Sequence, residues 1–177
     1  MSRIRITGGE WRSRLVQVPE APGLRPTPDS VRETLFNWLG QNLSGLACLD
    51  LFAGSGILGF EAASRGADYV ALVERSRQAF TALKKHADGF ECPRLELFCC
   101  DALEFVPLSG RRFDLVFLDP PYGQGWLARI EPRLDELAVP GARLYAEAEI
   151  PLERLGPWSV VKQGRAGQVF FHLLEQA

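Results

Sequence analysis

The sequence predicts an α/β protein whose mostly parallel sheet is covered by helices on both faces. From residue 46 onward, short apolar runs of strand length alternate with longer segments that carry apolar residues at helical spacing. A glycine-rich segment, DLFAGSG at 50–56, lies between an expected strand and an expected helix. The 177 residues, of which 46% are hydrophobic, suffice for one domain with a substantial core.

The expected elements alternate along the body of the chain. Strands are expected at 46–52, 69–73, 95–99, 115–118 and 143–146, and helices at 30–41, 57–65, 78–87 and 126–137. Ser30 and Glu33 have the spacing of a capping box, so the first helix is expected to begin there. Two more strands, at 158–161 and 168–174, are expected to give the sheet an antiparallel addition.

Residues 1–28 are expected to form an extension to the body, 29–177. Apolar residues alternate with polar ones around Gly8-Gly9, which predicts a β-hairpin with the glycines at its turn, and three prolines within 21–28 predict an extended linker. The formal net charge of the chain is −2, yet within residues 1–14 four arginines face Glu10 alone: Arg3, Arg5, Arg12 and Arg14. Composition leaves open whether this patch binds phosphates or is only solvated.

The remaining composition argues against several classes of protein. The four cysteines, at 48, 92, 99 and 100, contain no C-x-x-C pair, and His86 and His172 are the only histidines. The sequence therefore predicts neither a disulfide framework nor a metal site. It has no signal-peptide pattern and no apolar run of spanning length, so we expect a cytoplasmic protein without a membrane anchor.

The glycine-rich segment predicts a nucleotide-like ligand. Gly54, Gly56 and Gly59 satisfy G-x-G-x-x-G, and Glu74 follows Gly54 by 20 residues, which leaves an NAD-dependent oxidoreductase open. However, Asp50 at the strand end would repel a pyrophosphate placed over this turn. A carboxylate suits a ligand with an ammonium and a sulfonium group, which favours S-adenosylmethionine. A tight turn without a ligand is the remaining interpretation.

Acidic residues also follow the next two strands. A carboxylate at Glu74 can accept both hydroxyls of a ribose, and Asp101 can accept from an adenine amino group while the Ala102 N–H faces the ring. Either acid alone could be a helix cap or a solvated end. Together with Asp50 they predict a ligand site at the carboxyl edge of the sheet.

A second motif, D-P-P-Y at 119–122, follows the fourth strand. The prolines fix the backbone and remove two N–H donors, so the loop offers the Asp119 carboxylate and the Pro120 carbonyl as acceptors. Tyr122 adds a ring that can stack. This arrangement predicts a planar base whose exocyclic amine is aimed at a methyl donor by positioning and electrostatics, without a covalent intermediate. A rigid turn is the alternative.

Three further segments belong with these motifs: RIRITGGEWRSRLVQVP at 3–19, LRPTPDSVRETLFNWL at 24–39 and AGQV at 166–169. Together they make the chain resemble the RsmD family over nearly its whole length. That family methylates the N2 amine of one guanine in bacterial small-subunit ribosomal RNA. The resemblance implies a class I, Rossmann-like methyltransferase fold with a seven-stranded sheet whose last strand is antiparallel. One departure is Ser13, where the family usually has glycine.

The resemblance implies a role for each motif. The loop 50–56 would hold the methionine moiety, Glu74 the ribose, Asp101 and Ala102 the adenine, and 119–122 the target guanine. The expected cofactor-binding residues are Asp50, Phe52, Ala53, Gly54, Gly56, Glu74, Arg75, Asp101, Ala102 and Asp119. The expected catalytic residues are Asp119, Pro120 and Tyr122.

The expected partner is small-subunit ribosomal RNA, either bare or in a partly assembled subunit. The residues expected to contact RNA are Arg3, Arg5, Arg12, Arg14 and Arg25. The resemblance implies that Arg25-Pro26-Thr27 lies near the mouth of the site. Arg25 could bind a carboxylate or phosphate there bidentately, or it could be a surface arginine of the linker.

Three alternatives stay open on sequence. Methylation of adenine N6 or cytosine N4 in DNA would use the same D-P-P-Y chemistry, although the chain lacks an obvious target-recognition domain for DNA. An NAD-dependent oxidoreductase is disfavoured by Asp50 and by the lack of a second catalytic domain. A non-catalytic RNA-binding module is disfavoured by the intact acceptor at Asp119.

Overall fold

The structure is a computed structural model that describes residues 2–18 and 26–176. Arg25, which was expected near the mouth of the site, lies outside the described residues. The strands are β1 (Ser2–Arg5), β2 (Leu15–Val18), β3 (Ala47–Asp50), β4 (Tyr69–Val73), β5 (Leu95–Phe98), β6 (Phe113–Leu118), β7 (Ala138–Ala148), β8 (Arg154–Leu155), β9 (Trp158–Ala166) and β10 (Val169–Gln176). The helices are α1 (Asp29–Leu39), α2 (Ile57–Ser64), α3 (Arg77–Phe90), α4 (Trp126–Ile130) and α5 (Leu134–Leu137).

The central sheet confirms the predicted fold class. Its strand order is β5-β4-β3-β6-β7-β10-β9-β8, and the first five of these are mutually parallel. Strand β10 is antiparallel to both of its neighbours, so β9 runs in the same direction as β7. The edge strand β8 has two residues and was not predicted, because so short a strand leaves no periodic pattern. The other seven strands are those that the resemblance implies.

Helices cover both faces of this sheet, as the alternation predicted. On one face, Phe36 of α1, Phe60 of α2 and Leu83 of α3 belong to a single buried cluster with Val70 and Leu115 of the sheet. On the other face, a second buried cluster combines side chains of α4 and α5 with those of the sheet: Ile130, Leu134, Leu49, Ala71 and Val116. No helix among the described residues is both long and apolar enough to cross a membrane.

Two helix predictions need correction. The capping box is wrong, because α1 begins at Asp29, after Pro28, and no side chain caps it. The Asp29 carboxylate instead accepts hydrogen bonds from the guanidinium groups of Arg5 and Arg32. The bond from Arg5 connects the start of the helix to the N-terminal hairpin. The helix expected at 126–137 is divided into α4 and α5 by a 3₁₀ turn at Glu131–Arg133, where Pro132 lacks an N–H.

The N-terminal hairpin is present, but its turn differs from the prediction. Strands β1 and β2 pair antiparallel, and residues 6–14 connect them in place of a two-residue turn. At Gly9 an added Cβ would lie 2.1 Å from the carbonyl oxygen of Ser64, so this glycine permits close contact with the end of α2. Trp11 is buried and stacks on Phe90 of α3, with ring centroids 4.1 Å apart. The connecting segment therefore docks on the body of the domain.

A buried ionic network strengthens this contact. Glu61 of α2 is fully buried, and its carboxylate accepts from Arg32 at 2.6 Å, from Arg65, and from the backbone N–H of Thr7 at 2.7 Å. Arg32 also donates to the carbonyl oxygen of Arg5 at 2.7 Å and to that of Thr27 at 3.0 Å. One guanidinium thus joins β1, α2 and the segment before α1.

Candidate active site

Five acidic residues lie at one edge of the sheet. In spatial order they are Asp101 after β5, Glu74 after β4, Asp50 at the end of β3, Asp119 after β6, and Glu147 near the end of β7. Parallel strands bring their carboxyl ends to the same edge, which is where open α/β sheets bind ligands. Sequence reasoning identified the first four. It missed Glu147 because β7 was expected to stop at residue 146.

A cavity of about 510 Å³ opens at this edge, within the usual size range of small-molecule sites. The structure brings most of the predicted cofactor and catalytic residues to its wall: Asp50, Phe52, Ala53, Gly54, Glu74, Arg75, Ala102, Asp119, Pro120 and Tyr122. Gly56 and Asp101 are not among the lining residues. Pro26 and Thr27, which precede α1, also line the cavity.

The glycines of the loop have different functions. Gly54 has a φ of +54°, and a Cβ added there would meet nothing within 4 Å, so its bare backbone faces open space. Gly56 has a φ of +85°, and its added Cβ would lie 2.4 Å from Leu83 and 2.7 Å from Phe60. Gly54 therefore leaves room for a ligand, whereas Gly56 lets the loop pack on the core.

Glu74 organises the loop and borders the cavity. One of its carboxylate oxygens accepts the N–H of Gly54 at 3.0 Å, and the other accepts the N–H of Ser76 at 2.6 Å. Each carboxylate oxygen has a further lone pair, so the same side chain can still accept the hydroxyls of a ribose.

Asp101 and Arg75 lie at the outer end of the acidic edge. Asp101 accepts the N–H of Leu103 at 2.8 Å, and its other oxygen is 3.7 Å from an Arg75 guanidinium nitrogen. The Arg75 guanidinium carbon lies 5.9 Å from the ring centroid of Trp126, and 64% of the Arg75 side chain is exposed. Arg75 is thus a long, solvated side chain on the rim of the cavity, whereas Ala102 in its wall is buried.

Asp50 is buried at the floor of the cavity. Its carboxylate accepts the N–H of Gly59, in the first turn of α2, at 3.0 Å. Burial raises the pKa of Asp50 to about 7, the negative charge of Glu74 adds to the effect, and the hydrogen bond from Gly59 opposes it. A cation bound in the cavity would favour the ionised form.

Asp119 lies in a group of polar side chains that the sequence did not reveal. The Thr27 hydroxyl is 3.3 Å from Asp119 Oδ2 and 3.2 Å from Glu147 Oε1, and the Tyr145 hydroxyl donates to Glu147 Oε1 at 2.6 Å. Burial, followed by the charge of Glu147, raises the pKa of Asp119 well above its ordinary value. Glu147 could have been found by extending the strand-end rule by one residue. The resemblance placed Thr27 near the mouth of the site, but nothing in the sequence indicated that it contacts Asp119 and Glu147.

The D-P-P-Y loop turns outward after Pro120. Pro120 is buried, whereas Tyr122 is 44% exposed at the entrance of the cavity. The backbone N–H of Gly123 donates to Glu149, in the segment after β7, at 2.6 Å. That bond anchors the loop while the Tyr122 ring stays accessible to a planar group.

The residues of the cavity fit a cationic nucleoside better than a dinucleotide. Three carboxylates line it, and among the described residues of its wall Arg75, on the rim, is the one lysine or arginine. Such an arrangement stabilises a positively charged ligand and repels a pyrophosphate. Aromatic and aliphatic side chains supply a surface for a purine ring: Phe52, Ile57 and Trp126. The carboxylates and apolar side chains of the cavity therefore fit S-adenosylmethionine.

The predicted RNA-contacting arginines fall into two groups. Arg3 and Arg12 are exposed, and neither forms an ion pair within the described part of the chain. Arg5 pairs with Asp29 at 3.0 Å, and Arg14 donates to the Gly89 carbonyl at 3.2 Å. In residues 2–18 and 26–176, no group of three or more histidine, cysteine, aspartate or glutamate side chains could hold a metal ion.

Comparison with known proteins gives consistent results. A family model described as "Conserved hypothetical protein 95" matches residues 4–175. The chain is 39% identical to ribosomal RNA small subunit methyltransferase D of Escherichia coli strain K12, over 98% of this chain and 90% of that protein. It is 38% identical to the Haemophilus influenzae protein of the same name, over 97% and 93% of the two chains. The solved structure of the Escherichia coli protein yhhF superposes with a TM-score of 0.87 at 38% identity, covering 99% of this chain and 98% of that one.

Proposed function

The chain belongs to the ribosomal RNA small subunit methyltransferase D family, and we propose that it transfers a methyl group from S-adenosylmethionine to the N2 amine of a guanine in small-subunit ribosomal RNA. The observation that carries this proposal is the position of Asp119 and the D-P-P-Y loop beside an acidic cavity. We place the reaction in the cytoplasm, where the RNA substrate is found.

The acidic edge would bind and orient the cofactor. Glu74 would accept the ribose hydroxyls, Asp101 and Ala102 would border the adenine, and the loop 50–56 would hold the methionine moiety. When bound, S-adenosylmethionine supplies an electrophilic methyl group on a positively charged sulfur. Asp50 and Asp119 place negative charge near that cation, which favours its binding in this cavity.

The D-P-P-Y loop would hold the target base. Asp119 and the Pro120 carbonyl would accept the two N–H bonds of the amine, and Tyr122 would stack on the ring. Accepting both N–H bonds favours a pyramidal nitrogen whose lone pair can attack the methyl group. A paired base cannot reach Asp119, so the target guanine would be extruded or lie in an unpaired loop.

The N-terminal hairpin would provide the contact with RNA phosphates. Arg3 and Arg12 are exposed, and the hairpin is fixed to α2 and α3. A local basic surface is needed because the chain as a whole has a formal net charge of −2. Ribosomal proteins in a partly assembled subunit would then add shape specificity to the recognition of the RNA.

One experiment tests the substrate class. Methyl transfer from labelled S-adenosylmethionine should be measured on naked small-subunit RNA, on DNA and on partly assembled small subunits. We expect transfer to the RNA-containing substrates and none to DNA, with the product identified as N2-methylguanine by mass spectrometry of the nucleosides. Asp119→Ala should abolish transfer while the affinity for S-adenosylmethionine stays within a few fold. Methylated adenine or cytosine in DNA would overturn the proposal.

A further inference from the structure

A second carboxyl group stands behind Asp119. Glu147 does not line the cavity, and its side chain reaches Asp119 through the Thr27 hydroxyl, which lies within 3.3 Å of both carboxyls. Thr27 is 4% exposed and Glu147 is 6% exposed, so water contributes little to their hydrogen bonding. Asp119, Glu147 and Thr27 thus form a polar cluster that joins the loop after β6, the end of β7 and the segment before α1.

Within the described part of the chain, no lysine or arginine pairs with Asp119 or Glu147, and the hydrogen-bond donors that contact these carboxyls are neutral hydroxyls. The Tyr145 hydroxyl donates to Glu147, and the Thr27 hydroxyl, which has one proton to donate, lies within hydrogen-bond distance of oxygens of both acids. Asp50 on β3 and Tyr122 in the loop add no positive charge. Within this cluster, Arg32 contacts the Thr27 backbone carbonyl and neither carboxyl. Two adjacent carboxyl groups that are buried and lack a positive partner share one proton more favourably than both ionise.

We propose that Glu147 and Thr27 are positioning residues of methyl transfer: the Thr27 hydroxyl aligns the two carboxyls, and Asp119 and Glu147 together receive the proton that the amine loses. This inference rests on the proposed function of the site. Asp119 would contact the amine, while Glu147 would act through Asp119.

Atoms and charge balance in this step. The nitrogen lone pair forms the new N–C bond, the electron pair of the C–S bond stays on sulfur, and the nitrogen becomes positively charged. One of its protons then passes to the Asp119 carboxylate, so the amine product is neutral and the acid pair loses one negative charge. Burial and the neighbouring Glu147 raise the pKa of Asp119, so its ionised form is a stronger base than an isolated carboxylate.

Single-turnover methyl transfer across pH 5.5 to 9 tests this role, with the wild type, Glu147→Gln, Thr27→Val and Thr27→Ser on the same RNA. We expect the wild-type rate to rise with pH through an inflection set by the acid pair. Glu147→Gln should move that inflection to lower pH and reduce the plateau rate about tenfold or more. Thr27→Val should also slow transfer, whereas Thr27→Ser, which keeps the hydroxyl, should stay within about twofold of the wild type.

Infrared spectroscopy of the RNA-free protein at pH 7 supplies a readout independent of turnover. Asp50, whose pKa is raised to about 7, contributes a carbonyl band of its own, so each variant is compared with the wild type as a difference spectrum. We expect a carbonyl component of a protonated, buried carboxylic acid that is lost in both Glu147→Gln and Asp119→Asn and is retained in Asp50→Asn. If Glu147→Gln does not fold, the Thr27→Val and Thr27→Ser pair decides the kinetic question. An unchanged inflection and rate in Glu147→Gln, equal rates in the two Thr27 variants, or a wild-type spectrum without a component that both Glu147→Gln and Asp119→Asn lose would each overturn the proposal. Failure of the wild type to methylate any RNA would refute the proposed function, while the infrared result would still decide whether the acids share a proton.

Discussion

The carboxylate of Asp50, at the end of β3, accepts the backbone N–H of Gly59, in the first turn of α2, at 3.0 Å. One oxygen of the predicted ligand-binding acid is therefore used to hold the glycine loop in place. The arrangement links cofactor binding to local folding, because the same buried side chain lines the cavity and satisfies an N–H at the start of the helix.

Asp50 makes the stability of the free protein depend on pH. Its pKa is raised to about 7 in the folded protein, so the unfolded chain ionises first and stability falls as pH rises from about 4 to 7. The loss should approach about 4 kcal/mol. Asp50→Asn, whose amide oxygen can still accept from Gly59, should lack this part of the pH dependence in urea denaturation. Asp135→Asn on the surface of α5 is the control and should change nothing.

Glu74 should determine much of the affinity for the cofactor. Glu74→Ala removes an acceptor for the ribose and frees the N–H groups of Gly54 and Ser76. We expect calorimetry to show S-adenosylmethionine binding weakened by about 1 to 3 kcal/mol. Glu74→Gln should lose less, because it keeps one acceptor oxygen. A protein that bound NAD and did not bind S-adenosylmethionine would refute the cofactor assignment.

Tyr122 should act through its ring. It is 44% exposed at the entrance of the cavity, where a base would approach. In single-turnover methyl transfer we expect Tyr122→Phe to retain much of the activity and Tyr122→Ala to lose most of it, since base–aromatic stacking contributes about 1 to 3 kcal/mol. S-adenosylmethionine affinity should be similar in both variants. A Tyr122→Phe enzyme as inactive as Tyr122→Ala would contradict the stacking role.

Two of the hairpin arginines should affect RNA binding alone, whereas the other two should also affect stability. Replacing Arg3 and Arg12 by alanine should weaken RNA binding and make its salt dependence shallower, by a slope of about 1 for each arginine that binds a phosphate, without changing the melting temperature. Replacing Arg5 and Arg14 should also lower the melting temperature, because these side chains bond Asp29 and Gly89. Lys162→Ala on β9 is the charge-matched control for each single arginine replacement. Unchanged RNA affinity and salt slope after all four replacements would exclude the hairpin as the contact surface.

Ser13 should be a strained position. Its φ is +73°, in the left-handed region that disfavours residues with a Cβ. Ser13→Gly should therefore stabilise the protein by about 1 kcal/mol in denaturant unfolding. Ser13→Ala, which keeps the Cβ, should show no such gain, and equal stability of the two variants would argue against strain.

Several local predictions were wrong because tertiary contacts outweighed local signals. The glycines at 8 and 9 do not form a tight turn, since Gly9 is needed where the chain touches Ser64 of α2. The Ser30 capping box does not form, because buried Arg32 holds Asp29 and the Thr27 carbonyl and starts the helix earlier. Such contacts involve residues far apart in sequence, and no periodic pattern reports them.

The strand–helix alternation could be read from the amino-acid pattern, and with it the edge at which Asp50, Glu74, Asp101 and Asp119 meet. That was possible because parallel strands end on the same side and each acid directly follows a recognisable apolar run. The folded chain was needed to establish that Thr27 joins Asp119, 92 residues away, and Glu147, 120 residues away. A threonine before a helix and a glutamate inside a long strand belong to no local sequence pattern that would indicate this contact. Their juxtaposition arises when the sheet and the segment before α1 pack together and exclude water.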